Sequence, residues 1–128
     1  DKCAALANGV PMFASVQGGG DVAARTAAAE ACVAGDRADT VVGFSIGSLG
    51  AGESPGALRA ALLAAAIAPL PPNKPRHVSG LGAPLEIITC VEAGVDLMDA
   101  SFCHSCTLQG YAMSFPVGPP GVAGAARG

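Results

Sequence analysis

The chain has 128 residues, 51% of them hydrophobic, with a formal charge of −3 and a pI near 5.1. That length suits one small domain or part of a larger one, since domains run to about 100–200 residues. Seven Lys and Arg are too few for the basic footprint of a self-sufficient nucleic-acid binder, and 18 Gly and 10 Pro without a fixed period exclude collagen-like and simple-repeat chains.

The predicted elements alternate strand and helix. Met12 to Gln17 is a short apolar run that stops at Gly18-Gly19-Gly20, and Asp21 is placed to cap a helix over Val22 to Ala34, closed by Gly35. Thr40 to Ile46 is a β-branched apolar run broken by Gly47-Ser48-Leu49-Gly50. Ser54-Pro55 then opens a second helix that ends near Pro69. Pro71 and Pro72 force an extended link to a short strand, His77 to Ser79, ended by Gly80-Leu81-Gly82. A helix begins at Pro84 with Leu85, Ile88 and Val91 at helical spacing, and Gly94 closes it. Val95 to Met98 forms the last strand and delivers Asp99 at its end. The 103–110 stretch reads as a loop, and residues 116–128 read as an irregular Gly/Pro/Ala-rich tail.

Strands separated by helices imply a parallel sheet with right-handed crossovers, hence an α/β fold. In such folds ligands gather at the carboxyl ends of the strands, where Gln17, Gly47-Ser48, Gly80 and Asp99 fall. The five cysteines, Cys3, Cys32, Cys90, Cys103 and Cys106, form an odd set without a secretory signature and favour reduced thiols in the cytosol. The longest apolar run, Ala60 to Leu70, is shorter than the ~20 residues of a membrane span. No span is expected.

Three blocks in register carry a family signature. FASVQG at Phe13 to Gly18, GFSIGSLGAGE at Gly43 to Glu53, and LPPNKPRHVSGLGAP followed by GVDLMD within Leu70 to Asp99 resemble the tRNA-guanine transglycosylases. The resemblance implies a TIM-type (β/α)8 barrel, with residues 1–115 holding its C-terminal half, about strands 5 to 8. It also implies base exchange at the wobble position of tRNA, in which a carboxylate attacks C1′ of guanosine and a 7-deazaguanine replaces guanine. Asp99 matches the nucleophile, while Gln17, Gly47, Ser48, Leu49, Ser79 and Gly80 match positions that hold the base. A zinc ion is implied for the family, with its ligands expected beyond residue 128.

Three departures share one direction. Cys103 to Gly110 lacks both arginines of the catalytic pattern, Ser48 replaces a pocket glycine, and Ser79 stands where a Met packs on the base. Ser79-Gly80, GGDVxxR at Gly19 to Arg25, and TxxGxAxxF at Thr107 to Phe115 resemble the non-catalytic, accessory branch. That branch implies a heterodimer with a catalytic queuine tRNA-ribosyltransferase subunit, tRNA as shared ligand, and a cytoplasmic location with association to the mitochondrial outer surface. The alternative is an active transglycosylase that uses Asp99. Cys103-His104-Ser105-Cys106 has knuckle spacing without a second ligand pair, and Gly18-Gly19-Gly20-Asp21 lacks the Lys-[Ser/Thr] of a phosphate loop. Neither is expected to bind metal or phosphate.

Overall fold

A computed structural model describes residues 3, 6, 8–34, 40–50, 56–99 and 101–113. Among them, four strands form one parallel sheet: β1 (Met12–Val16), β2 (Val41–Ile46), β3 (Arg76–Val78) and β4 (Leu97–Met98), in the spatial order of the chain. The helices are α1 (Val22–Val33), α2 (Gly56–Ile67), α3 (Pro84–Glu92) and α4 (Ser101–Leu108). Alternation along each strand divides the sheet into two faces. Val16, Ile46 and Val78 are fully buried and form one core with Ala29, Leu62, Leu63, Ala66 and Cys90 of the helices. Ser15, Ser45, His77 and Leu97 point the other way, in register across all four strands.

Local chemistry sets the element ends. The Asp21 carboxylate accepts from the Ala24 amide at 3.0 Å and starts α1 as expected. At α3, Pro84 occupies the first turn, and Glu86 reaches back to the Gly82 and Ala83 amides, at 3.1 Å each. β1 stops at Val16, one residue short of expectation, because the carbonyl of Val16 takes the last ladder bond, from Gly47, and Gly18 turns the chain at φ 145°. β3 begins and ends one residue early. Phe44 already bonds to Pro75, and the chain turns at Gly80 with φ 78°. β4 loses Val95, whose amide returns to the Cys90 carbonyl at the end of α3. Residues 35, 54 and 55, expected at helix ends, and the expected 116–128 tail lie outside the described residues.

The 103–110 stretch is not a loop: α4 occupies Ser101–Leu108. None of its residues is buried, so packing does not anchor this helix in the core.

The LPxxKPR block ties the strands together. Leu70 is buried, Lys74 Nζ donates to the Val41 carbonyl of β2, and an Arg76 guanidinium nitrogen donates to the Gly94 carbonyl at 3.0 Å. Asp96 completes the staple, accepting from the Arg76 amide at 2.9 Å and donating its own amide to the Arg76 carbonyl at 2.9 Å. Among the described residues, no helix is long and apolar enough to cross a membrane.

Candidate functional site at the carboxyl ends of the strands

One step beyond the printed register, Gln17, Gly47, Ser79 and Asp99 follow Val16, Ile46, Val78 and Met98. With a side-chain period of two, they form the next row above Ser15, Ser45, His77 and Leu97 on the face away from the helices. The fold therefore gathers residues from the ends of four strands into one line. The row beneath is polar at Ser15, Ser45 and His77 and was not singled out from sequence. Ser45 Oγ lies 3.2 Å from His77 Nδ1, and Ser15 Oγ accepts from Gln17 Nε2 at 3.1 Å. The signal for it is positional, two residues before each site residue.

Asp99 is half-buried and held from two sides. Oδ2 accepts from the Gly80 amide at 2.9 Å, and Oδ1 accepts from the Ser101 amide at 3.0 Å and from the Ser101 hydroxyl. These bonds, the Ser101 hydroxyl first, hold the Asp99 carboxyl below its ordinary pKa, with His77 adding a smaller pull in the same direction. The carboxylate thus stands ionised at the start of α4, as the acceptor that joins the β3 turn to that helix. A carboxylate with a lowered folded-state pKa stabilises the protein above its unfolded value and loses that contribution as pH falls. Asp99→Asn is therefore expected to flatten the loss of stability that the wild type shows below about pH 4, read as denaturant midpoints across pH. An unchanged acid limb would refute this role.

Gln17 is exposed, and its amide lies over Gly47, where an added Cβ would sit 2.4 Å from Nε2. Its Oε1 accepts from Ser48 Oγ at 2.9 Å. Ser48 has φ 57°, in the left-handed region that glycine enters readily and serine does not. Leu49 is fully buried, so its side chain belongs to the core and only its backbone can serve a ligand. Ser79 is exposed, and the Gly80 amide is engaged by Asp99. Of the expected base-holding residues, the structure joins Gln17, Gly47 and Ser48 directly and Gly80 with Asp99.

Arg25 is the residue whose importance the sequence disguises. It is fully buried; Nε donates to the Gly19 carbonyl at 2.8 Å, and its two terminal nitrogens donate to Gly47 and Ser48 carbonyls, each at 3.0 Å. A planar guanidinium can bridge three fixed carbonyls at once, so one side chain from α1 locks the loops after β1 and β2 together.

Away from this row, Arg59 and Glu86 pair at 2.5 Å beside a cleft of about 200 Å³ lined by Leu63, Leu81, Leu85 and Cys90. Burial works to raise the Glu86 pKa, but the Gly82 and Ala83 amides and Arg59 hold it below the ordinary value. Burial pushes the Cys90 thiol up, and all five cysteines are free thiols. Among the described residues, no three His, Cys, Asp or Glu side chains are grouped to hold a metal ion.

A family model described as queuine tRNA-ribosyltransferase matches residues 1–122. Queuine tRNA-ribosyltransferase accessory subunit 2 of Danio rerio is 50% identical over 58 residues, which are 45% of this chain and 14% of that protein. Its Homo sapiens counterpart is 42% identical over 57 residues, 44% of this chain and 14% of that protein. Queuine tRNA-ribosyltransferase of Mesorhizobium japonicum is 36% identical over 91 residues, 71% of this chain and 23% of that protein. The chain thus spans less than a quarter of the length of these relatives.

Proposed function

The chain belongs to the queuine tRNA-ribosyltransferase family, and on that footing we propose that it is part of an accessory, non-catalytic subunit supporting the exchange of guanine for queuine in GUN-anticodon tRNAs. We read the sheet as about strands 5 to 8 of a (β/α)8 barrel spanning residues 1–115. Strand order that follows the chain, with one face buried under helices, is what a barrel needs. The relatives named accessory subunit 2 support the same assignment. The reading takes a catalytic subunit as partner, tRNA as the shared ligand and the cytoplasm as the location. Zinc would be bound by other parts of the full protein.

The observation that carries the reading is the employment of Asp99. In attack on C1′ a lone pair of a carboxylate oxygen forms the C–O bond, while the C1′–N9 bond breaks and guanine departs with that electron pair and takes up a proton. Here the Gly80 and Ser101 donors take three of the carboxylate's roughly four acceptor positions and lower its basicity, and the following helix has no arginine to meet tRNA phosphate. A carboxylate in this state serves as a structural acceptor.

Asp99→Asn in the full-length protein, paired with a catalytic subunit, is expected to leave base exchange within about twofold of wild type. The assay is incorporation of labelled guanine into tRNA. A second reading, an active transglycosylase, draws on the ionised Asp99 at the strand ends and on the match to the Mesorhizobium japonicum protein over 71% of this chain. It requires that Asp99→Asn abolish exchange, and that outcome would overturn the accessory assignment.

A further inference from the structure

Resting on that reading of the pocket, we propose that Ser48 is a built-in occupant of the base-recognition site and closes it to purine-type bases. A base edge approaching Gln17 would present an N–H to Oε1. Ser48 Oγ already makes that approach, donating to Oε1 at 2.9 Å, while Gln17 Nε2 is turned to Ser15 Oγ at 3.1 Å. The amide is drawn onto its own loop, close enough to Gly47 that a Cβ there would lie 2.4 Å from Nε2. A carbonyl oxygen can accept twice, so the hydroxyl acts mainly by standing in the space beside the amide, where a planar ring would lie.

Two features make the occupant permanent. Ser48 keeps φ 57°, a conformation that disfavours serine, and the hydroxyl bond to Gln17 offsets part of that cost. Arg25 donates to the carbonyls of both Gly47 and Ser48. The loop backbone is therefore held in place, and the hydroxyl can leave Oε1 only by rotating about Cα–Cβ, which gives up its bond to Gln17. Glycine at position 48 would relieve the backbone and empty the space together, so Ser48→Gly is not expected to compromise folding.

The test measures guanine binding calorimetrically to the full-length protein. Ser48→Gly is expected to bind guanine about tenfold more tightly than wild type or better, the worth of one recovered hydrogen bond. Ser48→Ala, which keeps a Cβ but loses the hydroxyl, should gain in the same direction. Gln17→Ala in the Ser48→Gly background should remove the gain. Equal guanine affinity of wild type and Ser48→Gly would overturn the proposal, as would a gain with glycine but none with alanine, or one that survives loss of Gln17. The accessory assignment fails on a different reading, base exchange by the unmodified protein alone, so the two can be struck down separately.

Discussion

Arg25→Ala is expected to lower the unfolding free energy of the full-length protein by about 3 kcal/mol or more, among the largest effects of any single change here. The guanidinium is fully buried and donates to the Gly19, Gly47 and Ser48 carbonyls. Truncation leaves those part-buried acceptors without these donors and opens a cavity between α1 and the two loops. Arg25→Lys should recover little, because a single ammonium on a flexible stem cannot span carbonyls from two loops in one plane. The measurement is a denaturant titration of the three proteins, and a lysine variant as stable as wild type would refute the clamp. Loosening it should also free the Gly47-Ser48 backbone, so Gln17 and Ser48 would lose their fixed relation as stability falls.

Gly50→Ala should cost at least about 2 kcal/mol by overpacking. A Cβ on Gly50 would lie 2.4 Å from the Gly80 carbonyl oxygen and 2.6 Å from its Cα, backbone against backbone, with no flexible side chain to give way. The β2 and β3 turns would have to part. Gly80 donates its amide to Asp99, so the displacement should carry through to that carboxylate and weaken the start of α4. Thermal melting of the full-length protein reads the first effect. The second is read by combining the substitution with Asp99→Asn, where the two costs should fall short of adding. Strict additivity would mean that Gly50 and Asp99 do not communicate.

How far these features were legible depends on whether their cause is local. The strand–helix alternation was readable because apolar runs, Gly-rich turns and capping residues act within a few positions, as at Asp21 and Pro84. Strand ends shifted by a residue or two where tertiary bonds intervened, as when Val95 returned its amide to Cys90. α4 was missed because Cys103, His104, Ser105 and Cys106 are weak helix formers on an unburied helix. Its start depends instead on Asp99 accepting from Ser101. Placing Gln17, Gly47, Ser79 and Asp99 at strand ends needed only the pattern, but the Ser48–Gln17 bond crosses 31 positions of sequence. Arg25 stood in the sequence only as the arginine of GGDVxxR, and only the approach of the second loop makes it a core residue.

Strand order that repeats chain order has a consequence for assembly. Each ladder joins neighbours separated by a single helix, from Met12↔Val41 through Phe44↔Arg76 to His77↔Leu97. Among the described strands these pairings need no distant partner, so their loop-closure entropy is met in short instalments. A chain emerging from the ribosome, N-terminal part first, can add β2 to β1, then β3, then β4, burying each apolar row as its helix arrives. At its growing end the sheet presents one newly made edge at a time, and from β1 to β3 the next strand to appear is the one that covers it.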